Sequence, residues 1–190
     1  MNKISIFILS LFLFTGCTVK PIINKQNAIK PISDKETIYS TLQNGDWLII
    51  RGIKAADNFI STATNMPFSH AAIYDKENHI IIESDSDGVH TTNPDDFLAK
   101  SYRLLIIRPI WANETTTPIA IDIARNMIGK KYNYTGLVGI NFSDSYYCTQ
   151  VAIESYRPFI DENSPENPIP QVISPGRMHH WGRIIYDSGP

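Results

Sequence analysis

Two apolar, β-branched runs, residues 70–75 (HAAIYD) and 80–84 (IIIES), flank the polar turn Lys76-Glu77-Asn78. That pattern is a β-hairpin, and it commits the chain to an antiparallel sheet. Further strands are expected at residues 46–51 (DWLIIR), 102–109 (YRLLIIRP) and 182–186. Helix signals lie between them. Ser33 with Glu36 three residues on matches a capping box and opens a short helix that stops before Asn44-Gly45. Residues 54–65 place Ala55, Phe59, Ile60 and Ala63 at helical spacing. Asn93-Pro94-Asp95-Asp96 supplies an N-cap, a first-position proline and acids in the first turn. Thr117-Pro118 opens an amphipathic helix whose Ile119, Ile123 and Met127 are expected to face the core, closed by Gly129. A last helix is expected from about Tyr146 to Tyr156. Helices mixed with antiparallel strands in this order define an α+β domain.

The N-terminus carries a different signal. After Met1-Asn2-Lys3 comes an apolar stretch over residues 4–14, then Thr15-Gly16-Cys17. As a helix that stretch rises roughly 16 Å, about half of a hydrocarbon core, so it reads as a signal peptide and not as a membrane span. The ending Phe-Thr-Gly-Cys resembles the lipobox of bacterial lipoproteins. That resemblance implies a diacylglycerol thioether on Cys17 and a lipid anchor in the bacterial cell envelope, on the outer membrane facing the periplasm in a Gram-negative cell. An ordinary secretory signal with an unmodified cysteine is the alternative. The expected organisation is a signal peptide over 1–16, a polar, proline-bearing tether over 17–36 and one domain over 37–190. About 150 residues suffice for a core that needs no disulfide or metal.

Seventeen Lys and Arg against nineteen Asp and Glu leave a formal charge of −2 with no dense basic run, which argues against a nucleic-acid partner. The second cysteine, Cys148, lies in SDSYYCTQVAIESY, where Ser143, Asp144 and Ser145 are N-cap candidates. It therefore falls in the first turn of a helix, where unpaired amides and the helix dipole favour a negative charge and so a nucleophilic thiolate. A small buried hydrophobe is the other reading of such a residue. A base and an orienting acid are available in the hairpin. With a two-residue turn, His70 and Glu83 are direct or diagonal neighbours on one face; a three-residue loop would separate them. A carboxylate beside an imidazole fixes the ring while its other nitrogen serves as base, as a thiol nucleophile requires.

Four segments then make a family resemblance specific: GDWLII at 45–50, FSHAAIY at 68–74, IIIES followed by DGV within 80–89, and YYCTQVAIESY at 146–156. Together they resemble the YiiX/YebB-like group, a circularly permuted branch of the NlpC-type papain-like cysteine hydrolases. The resemblance spans residues 42 to about 187. It implies an antiparallel sheet packed against helices, one of which starts at the catalytic cysteine. It assigns Cys148 as nucleophile, His70 as base and Glu83 as the third polar residue, in permuted chain order. GKKYN at 129–133 resembles the family's Gly-x-x-Tyr-Asp segment with Asn133 in place of Asp, and Thr149-Gln150 stand where relatives often have Ser-Glu, which leaves the substrate contacts open.

The backbone N–H of Cys148 is the expected oxyanion donor. Tyr147 and Tyr146 are candidates for a second donor or a substrate contact, and both could equally be packing residues. Asp46 either caps a turn or lines the cleft. His79 falls in the hairpin turn, and His90 and the His179-His180 pair look isolated, so no metal and no cofactor is expected. Trp47, Trp111 and Trp181 read as core or rim aromatics. The expectation is a monomeric, membrane-anchored cysteine hydrolase of amidase or peptidase type, acting on envelope peptide through an acyl-enzyme. A lipid acyl hydrolase or acyltransferase, or an inactive envelope-binding lipoprotein, would suit the same fold.

Overall fold

A computed structural model describes residues 34–53, 57, 65–161 and 168–189 of the chain. The expected signal peptide lies outside them, as do nearly all of the tether and of the helix expected over 54–65. Among the described residues no helix is long and apolar enough to cross a membrane.

The fold is α+β. Its centre is a six-stranded antiparallel sheet of β1 (Trp47–Gly52), β2 (His70–Asp75), β3 (Ile80–Asp85), β4 (Gly88–Thr92), β5 (Ser101–Pro109) and β8 (Gly182–Asp187), in the order β4-β3-β2-β1-β5-β8. Strict alternation along the strands builds two cores. Trp47, Ile49, Ala71, Ile73, Ile82, Leu105 and Ile107 face one side, with helices α3 (Thr116–Met127) and α4 (Cys148–Ser155) packed over them. Leu48, Ile50, Ala72, Tyr74, Ile81, Leu104 and Ile106 face the other, covered by α1 (Lys35–Thr41) and α2 (Pro94–Ala99). Helices on both faces explain why β1 is buried at every position, which a half-exposed strand would not be.

Several local expectations need correction. Asp34 caps α1, its carboxylate accepting from Thr37 N at 3.2 Å, and the helix starts inside the segment assigned to the tether. In α3 the buried stripe is Thr117, Ala120, Ile121, Ala124 and Met127, whereas Ile119 is 46% exposed; the helix begins at Thr116, and the small residues let it sit close to the sheet. Asn93 caps α2 as its sequence demands, accepting from Asp95 N at 2.8 Å. Strand β4 was not expected. It follows a tight turn at Ser86-Asp87, closed by Gly88, which has φ +90° and where a Cβ would run into the Lys130 carbonyl.

A two-residue parallel pair, β6 (Lys131–Tyr132) with β7 (Ser145–Tyr146), lies beside the sheet. It holds Ser145 and Tyr146 extended, so α4 begins at Cys148 with Tyr147 as N-cap, and none of Ser143, Asp144 or Ser145 caps it.

Candidate active site

The β2–β3 hairpin pairs Ala72 with Glu83 and Asp75 with Ile80, leaving a four-residue loop. An even loop keeps the parity that a three-residue loop would have broken, and it makes His70 and Glu83 diagonal neighbours on one face. Their side chains meet: His70 Nε2 lies 2.6 Å from Glu83 Oε2, with the imidazole 12% exposed and the carboxylate fully buried. The ring also interacts with the Cys148 side chain, for which Nδ1 is the nitrogen left over. Cys148 is buried at the first position of α4 and is the free cysteine among the described residues. As a first-turn residue, its backbone N–H has no partner inside the helix. The three residues singled out as a triad are thus brought together from β2, β3 and α4.

Burial disfavours charge on His70, but hydrogen bonds to Cys148 and Glu83, and the charges of both, outweigh it and push the imidazolium up to about 10. Burial likewise works against the Glu83 carboxylate. The hydrogen bond from His70 and the nearby His90, with the charges of His70 and Lys100, overcome it and hold the group well below the usual carboxylate range. The arrangement therefore stores an ionised acid against a protonated base.

Glu83 has more partners than expected. Its Oε1 receives the ammonium of Lys100 at 2.6 Å and the hydroxyl of Thr92, and lies 3.6 Å from His90 Nε2. His90, expected to be isolated, is placed here because β4 pairs it directly with Glu83. The signal for β4 was present in the sequence: Asp-Gly followed by the alternating Val89-His90-Thr91-Thr92 is a second hairpin.

The start of α4 is held by a network of amides. Gln150 Oε1 accepts from Tyr147 N at 2.9 Å and from Asn133 Nδ2 at 3.3 Å, while Gln150 Nε2 donates to Asn141 Oδ1 at 2.8 Å. Asn133 Oδ1 accepts from Gly136 N at 2.8 Å, and Ser84 Oγ donates to the Tyr146 carbonyl at 2.6 Å, pinning β7 to β3. Asn133 and Gln150, whose departures from the family pattern put substrate contacts in question, are buried supports of the helix start. A Cβ on Gly136 would strike the Tyr147 ring, so this turn tolerates only glycine.

The remaining candidates lie elsewhere. Tyr147 is buried, and its hydroxyl accepts from Ile173 N at 3.2 Å, fastening the 168–173 segment to the helix. Tyr146 donates to the Ser143 carbonyl at 3.2 Å. Asp46 is fully buried, accepts twice from Arg108 at 2.9 Å and caps Gln43 N at 2.8 Å. Its carbonyl accepts from Tyr74 N, four residues along β2 from His70 and so about 13 Å away. Asp46 is a turn residue, not a cleft residue. A phenol not singled out as a site residue, Tyr132, does reach the thiol's surroundings: burial, followed by the charge of Cys148, raises it above its ordinary value, so it stays a protonated donor.

A buried thiol at a helix start, with an imidazole and a carboxylate presented by a preceding hairpin, defines a papain-like cysteine site in permuted order. The chain belongs to the family described as the permuted papain-like amidase enzymes of the YaeF/YiiX type, the C92 family, which it matches over residues 41–169. Among solved structures it is similar to the metalloprotein yiiX from Escherichia coli O157:H7, with 19% identity and a TM-score of 0.53 over 62% of this chain. That match covers 66% of the yiiX chain, just under two thirds of its length, and at this identity it speaks for the fold. No curated protein matches the chain.

Proposed function

We propose that this protein is a cysteine hydrolase that cleaves an amide or ester bond through an acyl-enzyme on Cys148. The observation that carries the reading is one imidazole, His70, held 2.6 Å from a buried carboxylate and interacting with a helix-start thiol. With His70 protonated, Cys148 reacts as the thiolate. Its sulfur attacks the carbonyl carbon, the C–N or C–O bond breaks, and the His70 proton goes to the leaving group. His70 then takes a proton from water, whose oxygen attacks the thioester carbonyl; the C–S bond breaks, the acid is released, and the thiolate beside a protonated His70 is restored. Glu83 orients the ring and balances its charge. The Cys148 N–H and the Tyr132 hydroxyl are the proposed donors to the tetrahedral oxyanion.

For the substrate we favour peptide amides of the cell envelope, reached by a chain tethered to the membrane through a lipid on Cys17. One observation favours a second reading, an acyl hydrolase or acyltransferase on lipids. The segment leading into β7 and Cys148 exposes Tyr134, Val138, Ile140 and Phe142, each more than half accessible, an apolar rim suited to acyl chains. The metal implied by the neighbour's description is not carried over. Among the described residues no group of three or more His, Cys, Asp or Glu could hold one, and Lys100 already occupies Glu83 Oε1.

The test is a direct assay of the purified protein against muropeptides and against phospholipid vesicles. Product from one class, lost in Cys148→Ser, assigns the substrate. Product from neither, together with a Cys148 whose alkylation by iodoacetamide is indifferent to His70→Ala, would leave a binding protein and end the catalytic reading.

A further inference from the structure

We propose that Lys100 and Phe97, at the end of helix α2, are positioning residues that bracket the Glu83–His70 pair and hold it in the geometry the thiol needs. The inference rests on the reading of His70 as the base. It adds two residues that act through that pair.

Glu83 uses its two oxygens differently. Oε2 faces His70, while Oε1 takes the Lys100 ammonium at 2.6 Å and the Thr92 hydroxyl. A carboxylate anchored on one oxygen alone can turn about its last torsion, which is broad and roughly two-fold, and present either oxygen to the ring. Lys100 removes that freedom, because turning Oε1 away would strand the ammonium of a side chain that is only 23% exposed. The imidazole has its own stop. The Phe97 ring lies 6.0 Å from the His70 ring, centroid to centroid, at 41°. The same phenyl carries the Lys100 ammonium 5.0 Å from its centroid, a cation–π contact. Contacts therefore run from His70 to Glu83, from Glu83 to Lys100, from Lys100 to Phe97 and back to His70. A spacing of three residues puts Phe97 and Lys100 on one side of the helix end, so a single short element supplies both halves of the bracket. Its cap at Asn93 and Pro94 in its first position fix where that element begins.

The charged and titratable groups around Glu83 are His70 from β2 with Cys148 beyond it, His90 from β4 with Asp85 beside it, and Lys100 after α2. Removing the Lys100 charge makes a proton bind more readily to each member of the Glu83, His70 and Cys148 chain. The pH at which Cys148 becomes reactive must then rise. A purely structural role for Lys100 would lower stability and leave that pH where it was.

The experiment measures the iodoacetamide alkylation rate of Cys148 from pH 4 to 9 in the full chain and in Lys100→Met, Lys100→Arg and His70→Ala. Lys100→Met keeps the aliphatic stem and removes the charge; Lys100→Gln takes its place if that variant does not fold. The expected result is a reactivity curve displaced upward by about one pH unit, roughly a tenfold loss of rate on its acid side, and restored by Lys100→Arg. Phe97→Leu is expected to broaden the hydrogen-bonded Nε2–H proton resonance of His70 without moving the curve as far. A curve unchanged in Lys100→Met while His70→Ala displaces it would overturn the bracket and leave the base in place. A curve that His70→Ala does not displace would overturn both.

Discussion

Glu83 meets His70 across a diagonal of the β2–β3 hairpin, Oε2 to Nε2 at 2.6 Å, two residues away from the direct pairing that joins Glu83 to Ala72. The contact spends Nε2 on the carboxylate and leaves Nδ1 for Cys148, so the ring's orientation is set by the hairpin's register. Glu83→Gln keeps the shape but can present an amide N–H to Nε2 and loses the charge that supports the imidazolium. By analogy with the loss of an orienting carboxylate in other triads, turnover should fall by about 10²–10⁴-fold, chiefly in kcat. Steady-state kinetics on whichever substrate class the protein accepts checks this. A loss confined to KM would show that Glu83 serves binding alone.

The same pair makes stability depend on pH in a defined sense. His70 is raised to about 10 from 6.5, so its contribution is complete below pH 6.5 and is lost as the pH climbs toward 10. Glu83 is lowered from 4.5, so its contribution is complete above that value and is lost as the pH falls below it. Thermal melts should therefore be highest near pH 5–6.5 and decline on both sides. In His70→Ala the decline between pH 7 and 10 should flatten. A melting curve that keeps its full alkaline slope in that variant would place the titration elsewhere.

How much of this was legible in the sequence follows from the range of each signal. The central strands, the Asn93 cap of α2 and the hairpin that joins His70 to Glu83 are local patterns, and each lies where its residues place it. The start of α4 was displaced by two residues because a tertiary pairing, Tyr132 beside Tyr146, held the chain extended where three good capping residues stood. Ile119 faced outward for a related reason: several apolar stripes compete on α3, and the sheet beneath selects the one with small residues. Lys100 could not have been found by spacing, since its role depends on β4 and α2 meeting at Glu83. Asp46 shows the converse, a conspicuous acid beside a family-like segment whose partner, Arg108, lies 62 residues away.

Tyr132 has a sharper test than its neighbours. It shares the two-residue β6–β7 pair with Tyr146, just ahead of Cys148, and burial and the charge of Cys148 keep its phenol protonated. If it donates to the oxyanion, Tyr132→Phe should lower kcat by about 10²–10³-fold with KM little changed. Tyr147→Phe, which removes the bond to Ile173 N, should instead loosen the 168–173 segment and cost stability. Equal effects of the two variants on kcat would refute the distinction between them.

The ion pair at the far end of the sheet separates fold from chemistry. Asp46 is fully buried and takes two bonds from Arg108 at 2.9 Å; burial raises its carboxyl, and the guanidinium opposes that rise. Arg108→Met removes the ion-pair partner of Asp46 and leaves a poorly compensated carboxylate in the interior, which costs about 3–5 kcal/mol. For a domain of this size that is a fall in Tm of roughly 6–20 °C. Below its melting point the variant should alkylate at Cys148 with the unaltered pH profile, because Asp46 lies about 13 Å along the sheet from His70. A changed profile in a folded Arg108→Met protein would mean that the two ends of β2 are coupled, and Asp46 would return as a residue of the site.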